Sequence, residues 1–148
     1  MNATYLRSLT HSQPIVVEGV VADTMTILVG DLVCISAGLI NKVSASAHTL
    51  IFGIALDAIT TTTHTTASTC KVLLLDEWSV IRMAYTGTAS NLVEADVWTT
   101  AYDVSGTTTQ LVNIDDSSGG FLIPTTLLAA NKTGYIDCVV KASALWNA

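Results

Sequence analysis

Charge is the scarcest resource in this sequence. Asp, Glu, Lys and Arg make up 12% of the 148 residues, against about 25% in an ordinary globular domain. The six basic residues, Arg7, Lys42, Lys71, Arg82, Lys132 and Lys141, are scattered. Nucleic-acid binding displaces counterions with grouped lysine and arginine, and a polybasic membrane footprint needs the same grouping. The expectation is therefore no nucleic-acid partner and no membrane. Apolar runs are short as well, none reaching the roughly 20 residues that span a bilayer as a helix. Residues 1–7 lack the basic start and apolar stretch of a secretory signal, which points to synthesis in a cytoplasm. Cysteine is sparse: Cys34, Cys70 and Cys138 are odd in number and widely spaced in apolar, strand-like surroundings. Buried reduced thiols are the favoured reading, with a disulfide as the alternative. The sequons at Asn2 and Asn131 matter only for a secreted eukaryotic protein.

Long amphipathic helices are missing too, and what replaces them defines the fold class. Half of the residues are hydrophobic, and they fall in short runs broken by Gly, Ser, Thr, Asn and Asp, as all-β folds require. The plainest case starts at Gly30-Asp31-Leu32-Val33, turns at Ala37-Gly38, and continues in Ile51-Phe52-Gly53-Ile54-Ala55. Gly53 inside an apolar run predicts a bulge or a close backbone approach. Strands are predicted at 15–21, 32–36, 39–43, 50–58, 70–75, 80–85, 97–102, 110–113, 121–123 and 135–141. Together they read as an all-β fold: a small β-barrel or a β-tulip or jelly-roll-like sandwich. One short helix is the alternative to a loop at 124–131. Residues 60–69, seven of them threonine, read as a mobile surface loop or an exposed hairpin edge.

Residues 1–13 read as an N-terminal arm, and 14–148 as a single β-domain. Tyr5, Leu6, Arg7 and Leu9 of the arm, with Trp146, are the candidate partner-binding residues; a frayed terminus is the alternative. The chain also reads as a degenerate internal duplication. Gly30-Asp31-Leu32-Val33 matches Ala95-Asp96-Val97-Trp98, and Ile51-Phe52-Gly53-Ile54 matches Gly120-Phe121-Leu122-Ile123. The alternative is that any two β-meanders of similar composition look alike.

Chemistry is hard to find. None of His11, His48 and His64 lies beside a glycine-framed nucleophile. His64 and Cys70 have poor metal spacing, and Asp115-Asp116 lacks the alternating ligands of a calcium loop. Asp76-Glu77 would point to opposite faces of a strand. Seven Trp and Tyr residues spread along the chain read as core and interface anchors rather than a sugar platform. The sequence predicts no catalytic residues, no metal, no cofactor and no enzyme. So few charges predict lasting association with itself or a larger body, although threonine-rich surfaces can stay soluble without charge.

At Gly30-Asp31-Leu32-Val33, Ala37-Gly38-Leu39-Ile40 and Ile51-Phe52-Gly53-Ile54-Ala55 the chain resembles the capsid decoration (cement or capsid-fibre) proteins of tailed bacteriophages. The resemblance covers 15–84 well and the second half loosely. It implies a structural virion protein, made in the host cytoplasm, on the capsid exterior. There it would bind the major capsid protein, as a homo-oligomer and commonly a homotrimer, and stabilise contacts between capsid subunits. A receptor- or glycan-binding β-domain of a phage tail fibre or surface appendage is the alternative function.

Overall fold

A computed structural model describes residues 3–10, 12–45, 49–106, 108–126 and 134–146. His11, His48, both sequon asparagines and most of the 124–131 helix candidate lie outside them. The first half of the chain contains β1 (Ala3–Ser8), β2 (Val16–Val20), β3 (Thr26–Ile27), β4 (Leu32–Ser36), β5 (Leu39–Lys42), β6 (Ile51–Ala55), β7 (Ile59–Thr60) and β8 (Thr69–Leu74). The second half contains β9 (Ser79–Thr86), β10 (Asp103–Ser105), β11 (Leu111–Asn113), β12 (Leu122–Pro124) and β13 (Tyr135–Val140). Three short 3-10 turns, Ala89–Asn91, Glu94–Asp96 and Ala142–Ala144, are the helical structure among the described residues.

The strands form a sandwich. One sheet runs β2-β8-β6-β4-β5, the other β10-β11-β9-β13-β12 with β1 also paired to β9, and β3 and β7 make a small ribbon. Alternation gives each strand two faces, and the first sheet buries both. Leu32, Cys34, Ile51 and Ile54 join Ile81, Met83, Ile136, Cys138 and Val140 of the second sheet in the larger core. Val33, Ile40, Ala55, Cys70 and Val72 form a second core, roofed by Ile27 and Ile59 of the ribbon. The two cores are compatible only because β6 is bulged. Its register against β4 slips between Gly53 and Ile51, so Ile51 and Ile54 share one core while Phe52 and Ala55 turn to the other. Gly53 also meets the close approach foreseen for it, since a Cβ there would lie 2.1 Å from the Leu73 carbonyl oxygen.

The two halves share a strand-pairing scheme, although the predicted match of Leu32-Val33 to Val97-Trp98 does not hold, since Leu32 and Val33 open β4 while Val97 and Trp98 lie in a turn. In the first unit β2 pairs with β8, β8 with β6, β6 with β4 and β4 with β5, and Val21 of the β2 end meets Ile40 in a parallel bridge. In the second, β9 pairs with β13, β13 with β12 and β10 with β11, and β11 returns to β9 in parallel. A single bridge, Tyr102 to Leu122, joins β12 to the β10 end. One link of each circuit is thus a lone bridge, so neither closes as a barrel and the sandwich alternative stands. The corner before each unit's first hairpin is also shared. The Asp31 carboxylate accepts from Leu28 N–H and that of Asp96 from Val93 N–H, both at 2.9 Å. Asp31 N–H donates back to the Leu28 carbonyl and Asp96 N–H to the Val93 carbonyl.

Three expectations need correction. Residues 97–102 are not a strand: the chain turns there because Thr99 and Thr100 N–H both donate to the Asp96 carbonyl, and Trp98 takes φ +65°. Strand pairing starts at Tyr102 and Asp103 instead. The 50–58 segment shortens to β6, with Leu50 at φ +54°. The threonine run lacks apolar anchors but is fastened by polar ones. Thr60 lies in β7, the buried Thr61 hydroxyl donates to the Ala22 carbonyl and accepts from Met25 N–H, and His64 binds Asp23.

Candidate docking surface

Tyr5, Leu6 and Arg7 belong to β1, which lies antiparallel on β9 with Ala3 opposite Met83 and Ser8 opposite Ser79. Ala3 and Ser8 are buried at its ends, and Ala3 N–H donates to the Gly30 carbonyl at 2.6 Å. A register shift between Tyr5 and Arg7 bulges the strand at Leu6. Leu9 continues the line, its N–H on the Trp78 carbonyl at 2.9 Å. Residues 3–8 are therefore an integral strand of their own chain. Trp146 is elsewhere: its N–H donates to the Ile51 carbonyl and its ring meets Phe52 edge-on, with centroids 5.3 Å apart.

Tyr5 separates two shallow cavities. One, of about 170 Å³, is lined by Gln13, Pro14, Ile15, Leu74 and Asp76. The other, of about 130 Å³, is apolar and lined by Ala3, Val29, Ile54, Leu56 and Leu73. Exposed apolar side chains surround them. Ile15 is 61% exposed and Val16 53%, with Val29 and Leu56 on the far side of Tyr5. Leu28 and Val93 stand exposed at equivalent corners of the two units. Sequence reading missed Ile15, Val16, Val29 and Leu56, because an exposed apolar residue and a buried one look alike in an apolar run.

The polar groups are occupied by structural duties. Asp31, fully buried, holds Lys42 Nζ at 2.8 Å, and Lys42 also donates to the Thr108 carbonyl of the second unit. Arg82 and Asp137 face each other across β9 and β13 at 2.7 Å, which raises the guanidinium pKa through that hydrogen bond and charge. Asp96 is held below the usual carboxylate range by Val93 N–H and by Thr100 and Tyr102. Asp23 is lowered by the backbone N–H and ring of His64. Asp76 bonds Trp78 N–H and Ser79, and Asp115 bonds Thr88 N–H and Asn91, so these two carboxylates serve to hold the backbone around them. Burial pushes the Cys34 thiol up to about 11 and raises Cys70 and Cys138 as well. All three are free thiols. Among the described residues no group of three His, Cys, Asp or Glu side chains is arranged to hold a metal. What this surface offers is contact area. No protein family, curated protein or solved structure matches the chain.

Proposed function

We propose that this chain is a structural protein of a phage virion that binds the outer surface of the head and stabilises contacts between major capsid subunits. The observation that supports this most is the pairing of sparse charge with exposed apolar area. Eleven large apolar side chains stand exposed among the described residues, in a chain with only 6 basic and 12 acidic residues. Exposed apolar patches of this kind mark surfaces that a partner covers. The resemblance at 30–55 falls on β4, β5 and β6, of which β4 and β6 contribute to both cores, and the reading takes its partner from that resemblance. A rigid sandwich docking repeatedly on a lattice gains affinity from multivalency, the more so as a homotrimer.

The test is to mix the purified protein with expanded heads assembled from the major capsid protein of the same virus and to image them. Ordered copies at symmetric positions on the shell are expected. Heads left bare at saturating protein, with binding to host cells or oligosaccharides instead, would overturn the proposal in favour of a tail-fibre or appendage domain.

A further inference from the structure

The two units differ at one edge, and the difference identifies a vacant binding position. Leu74 N–H donates to the Ile15 carbonyl and Val21 N–H to the Ser68 carbonyl, both at 2.8 Å. With the β2–β8 register, this turns the backbone groups of Ile15, Val17, Gly19 and Val21 toward β8. Backbone groups alternate sides along an antiparallel strand, so those of Val16, Glu18 and Val20 point the other way. The β2 end is closed off where Ala22 N–H reaches the Ile40 carbonyl. No hydrogen bond to the outward backbone groups of Val16 and Glu18 is found among the described residues. In the second unit Tyr85 N–H on the Gly134 carbonyl sets the same phase, so Val80 and Arg82 correspond to Val16 and Glu18. There β1 fills the edge, with Arg7 opposite Val80 and Thr4 opposite Arg82. Val80 is buried as a result, whereas Val16 is half exposed.

We infer that the outer edge of β2 is a strand-addition site for an extended segment of another polypeptide, antiparallel to β2 as β1 is to β9. Exposed edge groups template such pairing, with backbone bonds giving affinity and side chains giving specificity. Glu18 sets the charge: it lies opposite Lys71 on β8 and its carboxylate accepts from the Thr69 hydroxyl at 2.5 Å, and the residue opposite it on the open side is a lysine, an arginine or a hydroxyl. The exposed Ile15 and Val16 ask for apolar neighbours. A second copy of the chain is the rival occupant. Its β2 edge paired in the register centred on Glu18 sets like charges opposite each other, and in the register centred on Val17 sets Val16 opposite Glu18 without the cation that Glu18 asks for. The chain's own β1 is already spent on β9.

The probe is an end-blocked heptapeptide of alternating valine and threonine with one central lysine, titrated into the full-length protein with amide exchange read by NMR. Exchange at Val16 and Glu18 is expected to slow about tenfold or more at saturation, with Val17 and Gly19 unchanged. Val16→Pro removes an outward N–H that no ladder bond uses, and should abolish the protection of Glu18. Glu18→Lys should transfer the preference to a peptide with central glutamate. Unchanged exchange at Val16 and Glu18, undiminished binding by Val16→Pro, or protection by dimerisation of the chain without peptide would each overturn the inference. The inference does not depend on phage-head binding, and bare heads in the imaging experiment leave this readout intact.

Discussion

The carboxamide of Gln110 answers three backbone groups of the opposite unit. Its Oε1 accepts from Leu32 N–H at 2.7 Å, and its Nε2 donates to the Leu32 and Val43 carbonyls, each at 2.9 Å. The side chain is 1% exposed and Leu32 is fully buried, so no water stands ready to replace it. Net hydrogen bonds are worth little, but leaving buried partners unsatisfied costs the full desolvation of each. Gln110→Ala should therefore destabilise the fold by about 3 kcal/mol, read as a lower urea midpoint with an unchanged slope. Gln110→Glu keeps the shape and the acceptor but loses both donors, and should also destabilise. A loss below about 1 kcal/mol for the alanine variant would mean that the seam relaxes or hydrates, contrary to this account. Lys42 reinforces the seam through Asp31 and the Thr108 carbonyl, which is why its charge is kept almost buried.

Among the strands, β1 makes the firmest departure from the arm foreseen at 1–13. Deleting residues 1–13 removes the partner of residues 79–83 in β9, the buried Ala3 and Ser8, and the half-buried Tyr5. The truncated protein should lose about 3 kcal/mol, which for a chain of this size lowers the melting temperature by roughly 6–12 °C. An unchanged melting curve would show that β1 is dispensable and restore the idea of a free arm. The sequence could not show this pairing, because Ala3 and Met83 are 80 positions apart and no local pattern encodes which strand a β1 will meet. Legible elements were those with local causes: alternation in β4 and β5, the Ala37-Gly38 turn, the glycine at the β6 bulge. Residues 97–102 misled because Val97, Trp98 and Thr99 have strand chemistry, while the Asp96 carbonyl captures the backbone N–H groups that a ladder would need. The candidate site was legible only as apolar content. Which strand ends up at an open edge is a tertiary fact, and it makes β2, rather than the arm, the available template.

At the scale of the whole molecule, the question is whether two topologically alike units behave as two bodies or one. The core composition decides it. Leu32, Cys34, Ile51 and Ile54 of the first unit are buried only against the larger core that the second unit builds. β1, from the chain's start, completes the second unit's β9, and Gln110 crosses back to Leu32. Neither unit can separate without exposing a sheet face and orphaning backbone groups, so unfolding should be a single cooperative transition. Two probes sit far enough apart to check this. With Trp146, which packs on Phe52 of the first unit, changed to phenylalanine, Trp78 and Trp98 report the second unit by fluorescence, whereas Cys70 lies fully buried in the second core, beneath the β3–β7 ribbon. A buried, protonated thiol reacts only when its surroundings open, so pulsed thiol labelling of Cys70, with Cys34 and Cys138 changed to alanine or serine, follows the first unit alone. The labelling and fluorescence midpoints in urea should coincide. Cys70 reacting at distinctly lower urea would show the ribbon-roofed core letting go first. The repeat would then be two loosely coupled bodies, and the shared core would not be what holds the molecule together.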